Sequence, residues 1–390
     1  MVPYALRRQI KTQPLQVIGS AACLSTRSIK GKGIRITFRS SQIFEARFGP
    51  LKKHSAHPYV HLSPQNVTEL VLGQKLQSLG VQVQRPHRVV GRKHNEEDCP
   101  VTDVSFKDGQ IVRARYIIGA DGARSTIRTI TGIGFSDPEG PNLGNHLLTQ
   151  MVSADVTFER EPVSPLTIEG HINIIISSDG FLTLTPFSNR CNSELTRDGK
   201  PVTKSIFRII SPVPVKNGEP PYAPPKEYIQ KLIDMYAPAC NIGFVDQLMW
   251  STRFRTHSAI ADRTLTRPGA ATFLVGDAAH IHSPAGDQGM NRVIRDAIFF
   301  TEAIIKHIQA FAGDSDVDDT ILQECAQVRH GRALEIMGFT KKLLKLASLT
   351  HDVYALWMPF SPASIRDLML GRFDFVRSSV AWSLSGLGRR

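Results

Sequence analysis

Apolar and polar residues alternate along Ile34–Phe38 and again along Gln42–Arg47, on either side of a polar turn, which predicts two strands. From Ser63 to Leu79 the period changes. Val67, Leu70, Val71, Leu76 and Leu79 recur at helical spacing, with Pro64 near the start. Val81–Gln84, Val101–Phe106 and Ile111–Ile118 are strand-like, and Asp108-Gly109 marks a tight hairpin between the last two. Between Asn145 and Arg263 the pattern is mainly β, in His171–Ile176, Phe181–Phe187, Ser205–Ile210 and Trp250–His257. One helix, Lys226–Tyr236, interrupts them behind Pro224-Pro225. A buried strand, Ala271–Val275, follows, then helices near Asn291–Phe311, Asp319–His330 and Ala333–Leu346. Strand–turn–helix units at both ends of a mostly β block predict an α/β (α+β) protein. The expected parts are a basic segment 1–33, a Rossmann-like nucleotide-binding domain in two pieces (34–144 and 264–350), an inserted β-sheet domain 145–263, and a tail 351–390.

Composition narrows the class. The 390 residues suffice for two or three domains, and 41% hydrophobic with 21% charged residues supports a buried core. Five scattered cysteines, never spaced as C-x-x-C, give neither a disulfide framework nor a zinc site. They suit a reducing compartment, so a cytoplasmic protein is expected. No apolar run nears the roughly 20 residues a transmembrane helix needs. The net charge of +12 is concentrated: residues 1–60 carry eleven Lys/Arg against the single acid Glu45. No nucleic-acid-reading module accompanies those cations, so no nucleic-acid partner is expected. The acid-free stretch Met1–Arg39 fits either an organelle import signal or a basic folded surface.

The chemistry concentrates in Phe273–Asn291. An apolar strand ends at Gly276-Asp277, which places a carboxylate at the carboxyl edge of a sheet, where open α/β folds bind ligands. That carboxylate is a poor phosphate ligand and a good acceptor for sugar or ribityl hydroxyls. A turn containing Pro284 and Gly286 follows, and a helix opens near Gly289-Met290-Asn291. Its unpaired N–H groups suit an anion, or a ring that becomes anionic. His280 and His282 lack a third ligand at metal spacing, so no metal is expected.

The segment Gly276–Asn291 resembles the second flavin-binding motif, G-D-A-A-H…P…G-x-G-x-N, of the para-hydroxybenzoate and phenol hydroxylase family of FAD-dependent monooxygenases. Gly119-Ala-Asp-Gly-Ala-Arg-Ser-Thr-Ile-Arg128 is similar to that family's D-G motif, which is associated with FAD and NADPH. Within it Gly122 permits a tight turn, Asp121 accepts hydrogen bonds, Ser125 caps the next turn, and Arg124 and Arg128 supply cations for pyrophosphate. Pro64-Gln65 resembles the start of a family helix whose glutamine reaches the flavin, and Arg329–Leu346 the helices that close the domain. The resemblance spans about residues 34–350. It implies FAD as cofactor, NAD(P)H and O2 as co-substrates, and hydroxylation of a phenolic or polyketide-like aromatic molecule held by the β-sheet domain. The protein then supplies binding, orientation and exclusion of water.

Three departures qualify that expectation. The family opens with G-x-G-x-x-G for the pyrophosphate, and no such run occurs here; Gly31-Lys-Gly33 leads into a strand, and Gly132-Ile-Gly134 fails likewise. The nucleotide-binding domain is therefore expected to be N-terminally truncated. Asp287 stands where a small residue is usual, and Arg292 is expected to offset it. Val293 replaces a glycine and is expected to crowd the ring edge. The alternative to an active enzyme is a flavoprotein remnant acting as a scaffold.

Overall fold

The structure is a computed structural model that describes residues 18–347, apart from 39–40, 54–56, 96–99, 139, 141–149, 163–169, 178–179, 188–195, 198–199, 215–216, 256–257, 268, 283–288 and 312–317. Its strands, in chain order, are β1 (Ile29–Gly31), β2 (Gly33–Phe38), β3 (Ser41–Arg47), β4 (Val60–Leu62), β5 (Val89–His94), β6 (Thr102–Phe106) and β7 (Ile111–Ala114). There follow β8 (Tyr116–Gly119), β9 (Phe135–Ser136), β10 (Gln150–Phe158), β11 (His171–Ile176), β12 (Phe181–Pro186), β13 (Thr196–Arg197) and β14 (Lys200–Pro201). The last are β15 (Phe207–Pro212), β16 (Val245–Arg255), β17 (Ala259–Ala261), β18 (Leu265–Thr266), β19 (Ala271–Leu274) and β20 (His280–Ile281). The chain divides into two compact units. One comprises Met1–Val81, Gly144–Thr256 and Lys345–Arg390, the other Gln82–Leu143 and His257–Leu344.

The first unit is built on a seven-stranded sheet in the order β16-β10-β15-β12-β11-β2-β3, antiparallel except where β11 runs parallel to β2. One face packs against the helix Lys226–Tyr236. Its Ile229, Leu232, Ile233 and Tyr236 recur at i, i+3, i+4 and i+7 and bury against Val156, Leu182, Leu184 and Ile209. Here the structure departs from the expected boundaries. β2 and β3 were expected in the nucleotide-binding part, yet they extend the large sheet through the register Asn173↔Arg35↔Glu45. Alternation along a strand sets which residues share a face, but not which sheet the strand joins.

The second unit holds three small sheets, β18-β19-β8, β20-β17-β9 and β5-β6-β7, and the helices Thr126–Ile130, Gly289–Phe311 and Thr320–Ala347. Its core gathers Ala271, Phe273 and Val275 against Phe300, Ala303, Leu322 and Ala326, with the Phe273 and Phe300 ring centroids 5.0 Å apart. The expected single strand Ile111–Ile118 is two. β7 pairs with β6, whereas β8 turns away to lie parallel to β19. The Asp108-Gly109 hairpin forms as expected, with Gly109 at φ +87° and the Gln110 N–H donating to Asp108. Val81–Gln84 is not a strand: Val81 and Val83 are half exposed, and β5 supplies the third strand beside β6 instead. The two C-terminal helices are one, running through Gly331, because Leu322, Ala326, Ala333 and Met337 bury on both sides of it. That shared burial outweighs a glycine penalty of about 1 kcal/mol.

Gly119 ends β8 in close quarters. A Cβ there would lie 2.8 Å from Ile127 Cγ2 and 3.0 Å from Leu274 Cδ2. Gly119→Ala should therefore lower stability by about 1–3 kcal/mol through overpacking. A denaturant midpoint equal to wild type would show that the contact is not as tight as described.

Candidate functional site

β8 and β19 pair in parallel with Gly119 opposite Leu274, and the Val275 N–H donates to the Gly119 carbonyl at 2.9 Å. Parallel pairing puts the carboxyl ends of both strands on one edge. Gly119–Arg128 and Gly276–Asn291 therefore begin side by side, at the edge where such sheets bind ligands.

After β8 the chain turns at Gly122, φ +83°, a conformation that favours glycine. Asp121 is used locally. One carboxylate oxygen accepts from the Ser125 hydroxyl, the other from the Ile127 N–H at 3.0 Å. Ser125 in turn accepts from the Arg128 N–H at 2.9 Å and caps the short helix. Arg128 was expected to serve pyrophosphate, but it is buried and structural. Its guanidinium donates to the Ala278 carbonyl at 2.9 Å and the Ala123 carbonyl at 2.8 Å, and lies 3.7 Å from the centre of the Phe135 ring. Arg128 thus clamps the D-G motif onto the flavin-type loop. Burial lowers its pKa, with Asp121 acting the other way. Arg124 alone of the pair is exposed, with no bonded partner among the described residues.

β19 ends at Leu274, and two residues on, at Gly276 with φ +64°, the chain enters a short 3-10 turn. Asp277 is exposed between buried Gly276 and Ala278, and its carboxylate has no partner among the described residues. The helix Gly289–Phe311 opens at Gly289 with Met290 and Asn291 exposed. Pro284, Gly286 and Asp287 lie outside the described residues. Gln65 begins the helix Gln65–Ser78 in the first unit and donates to Glu69 at 3.0 Å.

The donor set fits the ribityl and ring end of a flavin. An uncommitted carboxylate follows a buried glycine turn, an uncommitted guanidinium stands on the adjoining loop, and a long helix opens nearby. The residues that hold the other end of such a cofactor in the family, a G-x-G-x-x-G run, have no counterpart in the sequence.

Behind the loop lies a cluster that sequence reasoning did not anticipate. Arg292 was expected to offset Asp287, but its side chain turns inward. Nε donates to His280 Nε2 at 2.9 Å, Nη2 donates to the Arg329 carbonyl at 2.6 Å, and Asp296 lies 3.5 Å away. Burial pushes the Arg292 pKa down to about 10 against the pull of Asp296. Asp296 also accepts from Arg329 at 2.5 Å. His280 Nε2 also lies 3.3 Å from Asp296 Oδ2, so the buried ring faces both the Arg292 guanidinium and the Asp296 carboxylate. Burial, the largest cause, and Arg292 hold the His280 pKa below the ordinary value, although Asp296 works in the opposite direction. Val293, expected to crowd the ring edge, packs against the Phe273 cluster and lies 3.2 Å from where a Gly276 Cβ would stand. The i,i+4 spacing of Arg292 and Asp296 was a signal for part of this cluster. The reach from His280 to Arg329 carried none.

The family profile described as FAD binding domain matches residues 13–331. The chain belongs to the FAD-dependent aromatic-hydroxylase family. It is 26% identical over 326 residues to a rifampicin monooxygenase of Streptomyces venezuelae, covering 84% of this chain and 59% of that protein. It is also 26% identical over 347 residues to a pentachlorophenol 4-monooxygenase of Sphingobium chlorophenolicum, covering 86% and 58%. This family member therefore spans somewhat over half the length of these curated relatives. Its fold matches that of a p-nitrophenol 4-monooxygenase from Pseudomonas putida with a TM-score of 0.69 at 17% identity, over 97% of this chain and 86% of that one.

Two outcomes follow for this hydroxylase relative. Arg128→Met, which removes the clamp without shortening the stem much, should cost about 2–4 kcal/mol in denaturant unfolding. The buried cluster should also make stability fall with acid. His280 has a lowered folded pKa, so the unfolded state takes its proton first and stability drops as pH falls below the ordinary value of 6.5. Asp296 is held below its ordinary carboxylate value: burial alone would raise it, and His280, Arg292 and Arg329 outweigh that. Its contribution is present above 3.8 and fades at lower pH, as pH falls through the folded value. His280→Asn should flatten the loss of melting temperature between about pH 7 and 5. A variant that keeps the wild-type slope would rule His280 out as the source.

Proposed function

We propose that this chain carries the flavin-facing part of an FAD-dependent monooxygenase that hydroxylates a phenolic or polyketide-like small molecule with NAD(P)H and O2. One observation carries the reading: the β8–β19 register sets Asp121-Gly122 and Gly276-Asp277 at one strand edge. The acceptor roles there are divided. Asp121 shapes its loop, and Asp277 is left to accept from cofactor hydroxyls. Arg124 offers a charge to pyrophosphate, and the amides at Gly289–Asn291 favour an electron-rich ring. When bound, FAD supplies the redox chemistry that activates oxygen. The protein's own residues bind, orient and shield the reactants. Gln65, Pro284 and Gly286 remain proposed contacts of the same cofactor. The names of the relatives, which act on rifampicin and pentachlorophenol, support an aromatic substrate class.

The alternative reading is a scaffold that does not hold FAD. Titration decides between them. The purified chain should quench flavin fluorescence to saturation, and Asp277→Ala should raise the half-saturating FAD concentration by about tenfold or more, the loss of one charge-assisted hydrogen bond. NADPH oxidation by the loaded protein should then rise with a phenolic substrate. Failure of the wild-type chain to saturate would sink the enzyme reading and leave the scaffold.

A further inference from the structure

The first unit carries a second chemical feature, independent of the flavin-type loops. β1, β2, β3, β11 and the 3-10 turn Gly49–Lys53 bound a cleft of about 660 Å³. Lys30, Lys32, Arg35, Arg47 and Lys52 line it, and Glu45 is its only carboxylate among the described residues. The floor is built rather than incidental. Arg35 and His171 are buried, at 7% exposure each, and hold Glu45 Oε1 at 3.4 and 3.2 Å, while Arg47 holds Oε2 at 2.8 Å. Burial alone would raise the Glu45 pKa; Arg47, Arg35 and His171 outweigh it and keep the group ionised. Glu45 is therefore fully engaged by the floor. Lys32 and Lys52 are exposed at the rim with no carboxylate partner among the described residues. Lys30 stands 5.0 Å from the centre of the Tyr59 ring, on a wall that Pro58 continues.

Among the described lining residues, five cations against one carboxylate give about +4 before His171 is counted, and neighbouring like charges repel one another. A single carboxylate or phenolate would offset one of them. A phosphate chain offers two or three charges and several acceptor oxygens at once. The cleft volume lies in the range of small-molecule sites, and Pro58 and Tyr59, with Lys30 over the Tyr59 ring, form its less polar wall. We propose that this cleft is a binding site for a nucleotide, with the diphosphate on Lys32, Lys52 and Arg47 and the base against Tyr59. The recessed floor suits a small ligand rather than a flat anionic surface. Two sources carry this chemistry, a free nucleotide and the adenosine diphosphate half of a pyridine dinucleotide.

Calorimetric titration of the full chain without FAD tests the assignment, using ADP, adenosine and NADPH as probes. ADP should bind about tenfold or more tightly than adenosine, with an affinity that falls steeply as salt rises. Lys32→Glu with Lys52→Glu should weaken ADP by about tenfold or more while the melting curve stays that of wild type. If the double reversal fails to fold, Lys32→Gln with Lys52→Gln carries the same expectation. NADPH competing with ADP for one site assigns the dinucleotide as source, and ADP binding that NADPH leaves untouched assigns the free nucleotide. Equal affinity for ADP and adenosine, unchanged ADP binding in the variants, or binding only to vesicles of anionic lipid would overturn the proposal. FAD binding is read separately, so loss of the flavin reading leaves this outcome distinct.

Discussion

Four residue pairs hold β8 beside β19, from Ala271 opposite Tyr116 to Leu274 opposite Gly119, and the arrangement of the candidate flavin site follows from them. The strands run in the same direction, so their carboxyl ends share an edge and two loops far apart in sequence emerge together. Gly119 allows the approach because it presents no Cβ to Ile127 and Leu274. Arg128 then secures it from the other side, reaching the Ala278 carbonyl from the helix that Ser125 caps. A short strand pair would hold such a juncture weakly. The buried guanidinium adds charge-assisted hydrogen bonds that must be made, since leaving them unmade carries the full desolvation cost.

The acidic residues near the loops divide into those that build and those that wait. Asp121 and Asp296 are consumed by local partners, one shaping the turn after β8 and the other anchoring Arg292 and Arg329 behind the loop. Asp277 is uncommitted although its neighbours are buried. An exposed carboxylate between buried residues, at the strand edge where such sheets bind ligands, is the basis for proposing Asp277 as the cofactor-facing acid. Charge alone does not separate it from the other two. The same distinction applies to Arg124 and Arg128, which the sequence presents as a pair and the structure separates into a free cation and a clamp.

The large sheet shows a related division. Its helix-bearing face is apolar where Ile229, Leu232 and Ile233 cover it and becomes charged at Arg35 and Glu45, beyond β12. β2 and β3 thereby extend the sheet and bring a basic rim with them. The positive charge concentrated in residues 1–60 thus contributes to a defined cleft as well as to the N-terminal stretch.

The sequence by itself determined the family, the intended cofactor and most element positions, because each rests on local order. Gly276–Asn291 and Gly119–Arg128 are contiguous runs, and the helix Lys226–Tyr236 declares itself by spacing alone. Three matters were left to the tertiary structure. Strand alternation could not say that β2 and β3 join the inserted sheet, or that β7 and β8 serve different sheets, since pairing is a long-range choice. A helix period could not say that Gly331 lies within one continuous helix, since common burial on both sides decided it. Residue type could not say that Arg128 and Arg292 turn inward, because an arginine's role is set by which carbonyls and carboxylates the fold brings within reach.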